Sequence, residues 1–458
     1  MVRVDCENRR SKISISRKIF LTIFVLVAIH ASPSGGQNER YIMAVQSLVD
    51  HGQVYANLLS HKVPNGDYLA LGGKAFPNFP PGMTLLLSPY YWLFKKLLVL
   101  FGIAWTQYFV GYFSIFVVIF LIAPALGYGG VVMHRFLCMM SDNENKRLWL
   151  VFTFAFGTLL FFYSRSIWSH DITTCLVLAA FYFIVANRRP YLVGSFAGMA
   201  LLLENLAIVP TAILLTLWIY RNIRSPNGTW RDLSWKTSQL LIGLLPFLGM
   251  LFYFNRINTG SYLRFPVLLW HSPGQAIIQR PSREALWGLS FAPIRGIFLY
   301  VPITILFVLS FFRHLNEHRF VRVSCGIIFL TMFFFNASYC SWGAGSCYGP
   351  RYLIFAMPFI ILPVVVFEMK WIRFFCVLSI FVNTAGVNTQ PSDNIFKNIL
   401  VFLYRGPHLE WLEFIHKNEL PKHNIHIHTV TPCFIYIATL AALIALWRVR
   451  IRVERKHS

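Results

Sequence analysis

Ten apolar stretches of about 17–25 residues, each bounded by charged or turn-forming residues, punctuate this 458-residue chain. Each is long enough to cross the roughly 30 Å hydrocarbon core of a bilayer as a helix. They lie near 17–33, 105–130, 147–163, 171–187, 237–254, 295–312, 320–337, 351–367, 371–388 and 430–447. Hydrophobic residues make up 56% of the chain and charged residues 13%, a balance that excludes a soluble globular protein, whose core buries a smaller apolar share. Basic residues ahead of Ile19 to Ala31 give the N-terminus the look of a signal peptide. The following Ile-His-Ala-Ser-Pro is a poor cleavage site, so this stretch is read as a retained first helix.

Residues 190–220 are ambiguous. As one helix they would extend about 46 Å, too long for the bilayer unless strongly tilted. Glu204, Asn205 and Pro210 interrupt the run, which predicts two short helices, 191–204 and 206–220. The basic residues test this split. The chain has 41 Lys+Arg against 18 Asp+Glu, a formal charge of +23. With the split, and the N-terminus inside, 25 of the 41 fall in inside segments and 16 outside; with a single span the division is 21 and 20. The positive-inside rule therefore favours the split, with both termini cytoplasmic. A charge excess that in a soluble protein would suggest nucleic acid becomes mostly topology, and no nucleic-acid partner is expected. The fold class is all-α: a polytopic membrane protein of about twelve transmembrane helices, some short or broken. It forms one membrane domain over 1–458, with outer loops at 34–104, where interfacial helices are expected, at 255–294 and at 389–429.

On this topology the scarce ionisable groups gather at the outer face. The first outer loop carries Glu39, Asp50, His61, Asp67 and Lys74. Arg165, Trp168, His170 and Asp171 stand around the outer end of the fourth helix, Glu204 at the outer end of the hairpin, and Trp342, Tyr348, Arg351 and Tyr352 ahead of the tenth helix. Each alone is an ordinary anchor or belt residue, but charges near the membrane are costly and their convergence marks a site. Pro81 and Gly82 suit a helix start, and Leu85 to Leu93 is too short to span. This predicts a helix on or in the outer leaflet that Lys95 and Lys96 end. The Gly-rich loop 343–349 runs into a helix with Pro350 in its first turn and Arg351 at its N-terminus. A cation there is unfavourable to the helix and asks for an anion such as phosphate.

The eight cysteines show no metal-ligand spacing; Cys340 and Cys347 share a short loop and are candidates for a local disulfide. His314-Leu-Asn-Glu317-His318 matches a zinc pattern in a short basic loop, and His423, His426 and His428 cluster near the last helix; neither is read as a metal site. There is no P-loop, dinucleotide fingerprint or Asp-x-Asp sequence.

A series of elements carries more. Glu39-Arg-Tyr41 precedes Leu-Val-Asp-His-Gly and Gly-Lys-Ala-Phe-Pro-Asn-Phe-Pro-Pro-Gly. Gly157 to Ser164 with His170, Tyr253-Phe-Asn255 with Gly260-Ser-Tyr262, and Arg295 to Pro302 follow, and Ser341-Trp-Gly-Ala-Gly-Ser-Cys-Tyr-Gly-Pro-Arg-Tyr-Leu353 closes the series. In this order they resemble the bacterial polytopic glycosyltransferases of the GT-C type, relatives of protein mannosyltransferases and aminoarabinose transferases. The resemblance covers about 35–360, and its last element is the most specific.

The resemblance implies a polyprenyl-phosphate sugar donor and a catalytic acid residue in the first outer loop. Glu39 fills that place, with Asp50 as second choice. Arg351, with Lys74 or Arg165, would hold the leaving phosphate and His170 would bond phosphate or sugar, while Glu204, Trp342 and Tyr352 complete the expected substrate-binding set. Because the leaving group is a lipid monophosphate, basic side chains can supply the charge that a metal supplies for nucleotide sugars, so a metal-independent enzyme without cofactor is expected. It would transfer a hexosyl or pentosyl group to a glycan, lipid or protein acceptor of the cell envelope, on the extracytoplasmic face of a bacterial inner membrane, among membrane lipids. A transporter or flippase for a lipid-linked sugar is the alternative, but it calls for paired half-helices and midplane charges where this sequence gives one hairpin and edge charges. A non-catalytic lipid-binding protein leaves Glu39 unexplained.

Overall fold

Short polar side chains open many of the helices, and glycine or proline breaks them. The computed structural model describes residues 14–33, 38–57, 68–71, 74–102, 108–224, 229–269, 276–313, 318–389, 394–418 and 431–448. His61, Asp67, Glu419, the His423 to His428 group and residues 314–317 of the zinc-like pattern lie outside them. Ser14 accepts the Arg17 N–H and opens α1 (Ile15–Ala28). After it come α2 (Asn38–His51) and three short strands, β1 (Ala56–Asn57), β2 (Tyr68–Leu71) and β3 (Lys74–Pro77), in an antiparallel sheet of order β1-β3-β2. Ala75 at its centre pairs with Ala56 on one side and Ala70 on the other.

α3 (Gly82–Leu100) corrects the expected helix end: Lys95 and Lys96 do not stop it. Lys95 turns to Asp50 at 2.8 Å and Lys96 lies over the Trp92 ring at 5.9 Å, so both ammonium groups leave the helical path to Leu100 intact. The second span, expected to end at 130, runs Phe109–Cys138, as α4 (Phe109–Val117), a π turn at Val118–Ile122 and α5 (Ala123–Cys138). The π turn absorbs the amide missing at Pro124.

The stretch read as 147–163 is two pieces, α6 (Glu144–Phe156), capped by Asn143, and α7 (Leu159–Tyr163), with the break at Gly157 and Thr158. After α8 (His170–Ala186), residues 190–220 divide as expected into α9 (Pro190–Leu203) and α10 (Ile208–Ile223). Glu204 is extended between them (φ −152°, ψ 124°), followed by a 3-10 turn at Asn205–Ala207. α11 (Trp230–Thr259) is capped by Thr229 and closed by Gly260 in the left-handed region. α9 and α11 touch backbone to backbone: a Cβ at Gly194 would meet the Leu240 carbonyl oxygen at 2.0 Å, and one at Gly243 would meet that of Tyr191 at 2.0 Å.

α12 (Arg283–Ser290) precedes another correction. The stretch read as 295–312 breaks around Pro302 into α13 (Ile297–Tyr300) and α14 (Thr304–Ser310). The amide of Asn383 bonds the freed Tyr300 carbonyl at 2.8 Å and the Ser379 hydroxyl accepts the Ile303 N–H at 3.0 Å, so the break is satisfied inside the protein. α15 (Arg319–Ser338) follows. Residues 351–366 are a 3-10 turn (Arg351–Ala356), α16 (Met357–Ile361) and a second 3-10 turn (Leu362–Val366). Leu353 to Val364 is fully buried, so this piece forms the centre of the bundle. α17 (Met369–Val387), α18 (Ile395–Arg405), α19 (Glu410–Asn418) and α20 (Thr431–Arg448) complete the chain.

The protein is an all-α polytopic membrane protein. Among the described residues six helices are long and apolar enough to cross a membrane: Phe109–Cys138, Asn205–Ile223, Trp230–Thr259, Arg319–Ser338, Met369–Val387 and Thr431–Arg448. His170–Ala186, Pro190–Leu203 and Arg351–Val366 are shorter apolar helices packed with them. No disulfide joins Cys340 and Cys347 among the described residues; the Cys347 thiol instead faces the Gly343 and Gly349 carbonyls.

Candidate functional site

Four loop-to-helix junctions meet at one end of the bundle. α2 begins there with Glu39, which is exposed, and Arg40, which is half-buried. Arg40 donates to the Tyr41 hydroxyl at 2.8 Å, and its guanidinium lies over the rings of Tyr41, Phe79 and Trp168 at 4.5, 5.0 and 5.9 Å. Phe79 comes from the turn after β3, and the Tyr68 hydroxyl of β2 donates to the Arg40 carbonyl at 2.6 Å, so the small sheet fixes the start of α2.

Trp168-Ser169-His170 forms the turn into α8. Ser169 donates to Glu204 Oε2 at 2.7 Å, and His170 Nδ1 stands 3.4 Å from the same oxygen, an electrostatic contact more than an aligned bond. Glu204 reaches them because the chain is extended between α9 and α10. Tyr41 joins the group through its hydroxyl, 3.4 Å from Ser169 Oγ. Trp168 stacks on His170 with ring centroids 5.0 Å apart and planes 28° from parallel.

Arg351 approaches the same indole from the opposite chain segment, 5.3 Å from the Trp168 ring and 5.3 Å from that of Tyr352. Its Nε is buried without a hydrogen-bond partner among the described residues. The loop that presents it is pinned by Arg295, whose Nε and Nη2 donate to the Gly343 and Gly345 carbonyls at 2.7 and 2.5 Å. Tyr163 adds a bond to the Tyr348 carbonyl at 2.8 Å. Two guanidinium groups and a histidine thus surround one tryptophan, with Glu204 the carboxylate in contact. That imbalance suits an anion.

No protein-family model matches this chain, and no curated protein matches its sequence. Among solved structures, ArnT from Cupriavidus metallidurans bound to undecaprenyl phosphate matches at a TM-score of 0.52 and 11% identity, covering 94% of this chain and 75% of its own. The chain shares the fold of this structure. The same protein in the apo state matches at 0.49 and 14%, covering 93% of this chain and 74% of its own.

Within this fold, four of the nine residues expected at the site gather at the junction: His170, Glu204, Arg351 and Tyr352 cluster around Trp168 and Ser169. Glu39 is exposed at the start of α2, beside Arg40 in sequence. Trp342 packs instead against α12 and α15, in a small apolar cluster with Ala285, Leu289 and Ala337, its indole lying on Gly288.

Three lie elsewhere. Asp50, at the far end of α2, accepts from the Tyr91 hydroxyl at 2.6 Å and from Lys95 at 2.8 Å, tying α2 to α3. Burial alone would raise its carboxyl, but those two donors and the lysine charge hold it below the usual carboxylate range. Lys74 is exposed on β3, over the Tyr55 ring at 4.3 Å. Arg165 is buried and bonds Glu410 of α19 at 2.9 Å and the Val387 carbonyl at 3.0 Å. Glu410 also accepts from Ser32, and the Trp411 indole donates to the Ile29 carbonyl at 2.8 Å. The start of α19, within the 389–429 segment, is therefore tied to the end of α1 and to Arg165. Arg40, Ser169 and Arg295 join the candidate site without being singled out in the sequence, although Arg40 stands beside Glu39 and Arg295 opens one of the quoted sequence elements.

Proposed function

We propose that this chain is a membrane glycosyltransferase that moves a sugar from a polyprenyl-phosphate donor to an acceptor hydroxyl. The observation that carries the reading is the placement of Arg40 and Arg351 on one tryptophan, beside the Glu204 and His170 pair, in a GT-C fold. Glu39 takes the acceptor proton; the acceptor oxygen bonds the anomeric carbon; the bond from that carbon to the phosphate oxygen breaks; and the lipid phosphate leaves with the electron pair. Arg40 and Arg351 face the charge that grows on the phosphate, so the step is written without a metal. His170, set by Glu204, orients the donor. Asp50 is engaged by Tyr91 and Lys95, which leaves Glu39 as the base. On the positive-inside reading this end of the bundle faces the extracytoplasmic side of a bacterial inner membrane, with both termini cytoplasmic and a cell-envelope glycan, lipid or protein as acceptor.

The ArnT structure bound to undecaprenyl phosphate supports a donor of this chemistry. Membranes containing the protein, given a panel of polyprenyl-phosphate sugars, should release lipid phosphate. Glu39→Gln should abolish release with donor binding kept, and Arg40→Ala or Arg351→Ala should weaken donor binding about 10- to 100-fold, the range for a charge-assisted bond. Release undiminished in Glu39→Gln would remove Glu39 as base. Movement of the donor across the bilayer without release would replace transfer by transport.

A further inference from the structure

At the opposite end of the bundle from the Trp168 cluster, the last turns of α8 and α10 and the first turn of α15 enclose a cavity of about 500 Å³. α8 and α10 both start at the cluster and run away from it, and α15 returns toward it, so the two places are separated by the lengths of these helices. At 17 and 20 residues, α8 and α15 extend about 25–30 Å, close to the hydrocarbon thickness of a bilayer. Arg221, Asn222, Arg224 and His318 line the cavity together with the rings of Tyr220 and Phe320, and none of the described residues that line it is acidic.

We propose that this cavity binds a phosphate headgroup, distinct from the donor phosphate at the Trp168 cluster. Two helix C-termini alone would repel an anion, since their carbonyls carry partial negative charge. Here that charge is answered: Arg221 donates to the Ile184 carbonyl at 3.0 Å, and the backbone N–H groups of Asn187 and Arg188 close the Ile184 and Phe183 carbonyls at 3.2 Å each. α15 contributes the opposite pole. It begins at Arg319 with no side-chain cap among the described residues and no acid in its first turn, and its first residues line the cavity.

Arg221 is held over the Phe320 ring at 5.4 Å, which positions its guanidinium, while Arg224 is exposed at the rim over the Tyr220 ring at 5.8 Å. Ile219, Tyr220 and Ile223 are exposed on the same last turns of α10. A ligand with a phosphate in the cavity and acyl chains along these side chains satisfies both surfaces, so the chemistry points to an anionic phospholipid. Orientation anchors alone require basic residues at this end but neither the cavity nor the uncapped helix start.

The test uses the full-length protein in neutral phosphatidylcholine nanodiscs. One arm titrates cardiolipin into the disc and the other adds soluble pyrophosphate, with retained ligand counted by native mass spectrometry. The wild type should retain one ligand. Arg224→Met should weaken retention about fivefold, the value of one basic side chain at an anionic surface, and Arg221→Met combined with it should weaken it further. The double variant Arg188→Met with Arg189→Met removes charge at the same end outside the cavity and should leave retention unchanged. Retention of cardiolipin alone assigns the site to a lipid headgroup, and retention of pyrophosphate alone assigns it to a free phosphate. No retention in either arm, or an equal loss in the Arg188 and Arg189 variant, overturns the proposal. Arg224→Met keeps the test readable if loss of the Arg221 bond to α8 prevents folding.

Discussion

Replacing Arg165 by methionine is the sharpest test of how the last loop is held. Both partners of the Arg165–Glu410 pair are nearly buried, with side-chain exposures of 7% and 9%, at 2.9 Å. At that separation and an effective dielectric of about 20 the attraction is about 6 kcal/mol, largely offset by desolvation of the two charges. Arg165→Met cancels the attraction but keeps Glu410 buried, and also strips the arginine's bonds from the Val387 and Thr389 carbonyls. The expected cost is about 3–5 kcal/mol. Arg165→Met with Glu410→Leu removes both charges, and the double variant should recover most of that loss. The exposed pair Lys236–Asp232, at 2.6 Å with side chains 26% and 42% exposed, serves as control and should give no more than about 0.5 kcal/mol. Equilibrium unfolding in mixed micelles measures all four proteins as a double-mutant cycle. A cost below about 1 kcal/mol for Arg165→Met, or strictly additive single effects, would refute the buried latch. A rise in donor KM at unchanged stability would return Arg165 to the substrate.

Two further outcomes follow from the first long loop. Gly82→Ala places a Cβ 2.4 Å from the Leu202 carbonyl oxygen of α9, and should cost about 1–3 kcal/mol in the same unfolding assay. Gly249→Ala in α11, with nothing within 4 Å, should be neutral or stabilising, and equal effects would remove the steric argument. Asp50, whose carboxyl is held below its ordinary value, contributes stability at neutral pH that is lost as pH falls through the lowered value. The wild type should therefore lose its advantage over Asp50→Asn as the pH drops below about 4, and parallel pH profiles for the two would contradict the tie to Tyr91 and Lys95.

The sequence announces the break at Glu204 because a charged residue, an asparagine and a proline interrupt an apolar run too long for one span. At Gly157 and Pro302 it offers only a glycine and a proline inside runs of spanning length, and what lets the Pro302 break persist, the Asn383 and Ser379 side chains that satisfy the freed backbone groups, lies about eighty positions away. His170, Glu204 and Arg351 are legible as candidate site residues because each is polar beside an apolar helix. Arg40 is not, since spacing alone does not say which of two neighbouring charges on a helix turns toward a tryptophan from another segment. Arg165 carried the same polar signal as His170; its partner Glu410 lies 245 residues away, and only the folded chain separates a buried brace from a ligand contact.

The backbone contact of α9 with α11 has a mechanical consequence. Where two helices touch at glycines with no room for even a methyl group, neither slides nor rotates against the other without collision, so the pair moves as one beam with Glu204 at its tip. If turnover requires the bundle to flex, the joints lie at the interrupted helices around Gly157 and Pro302, and a crosslink between α9 and α11 should leave the rate untouched while one across either joint slows it.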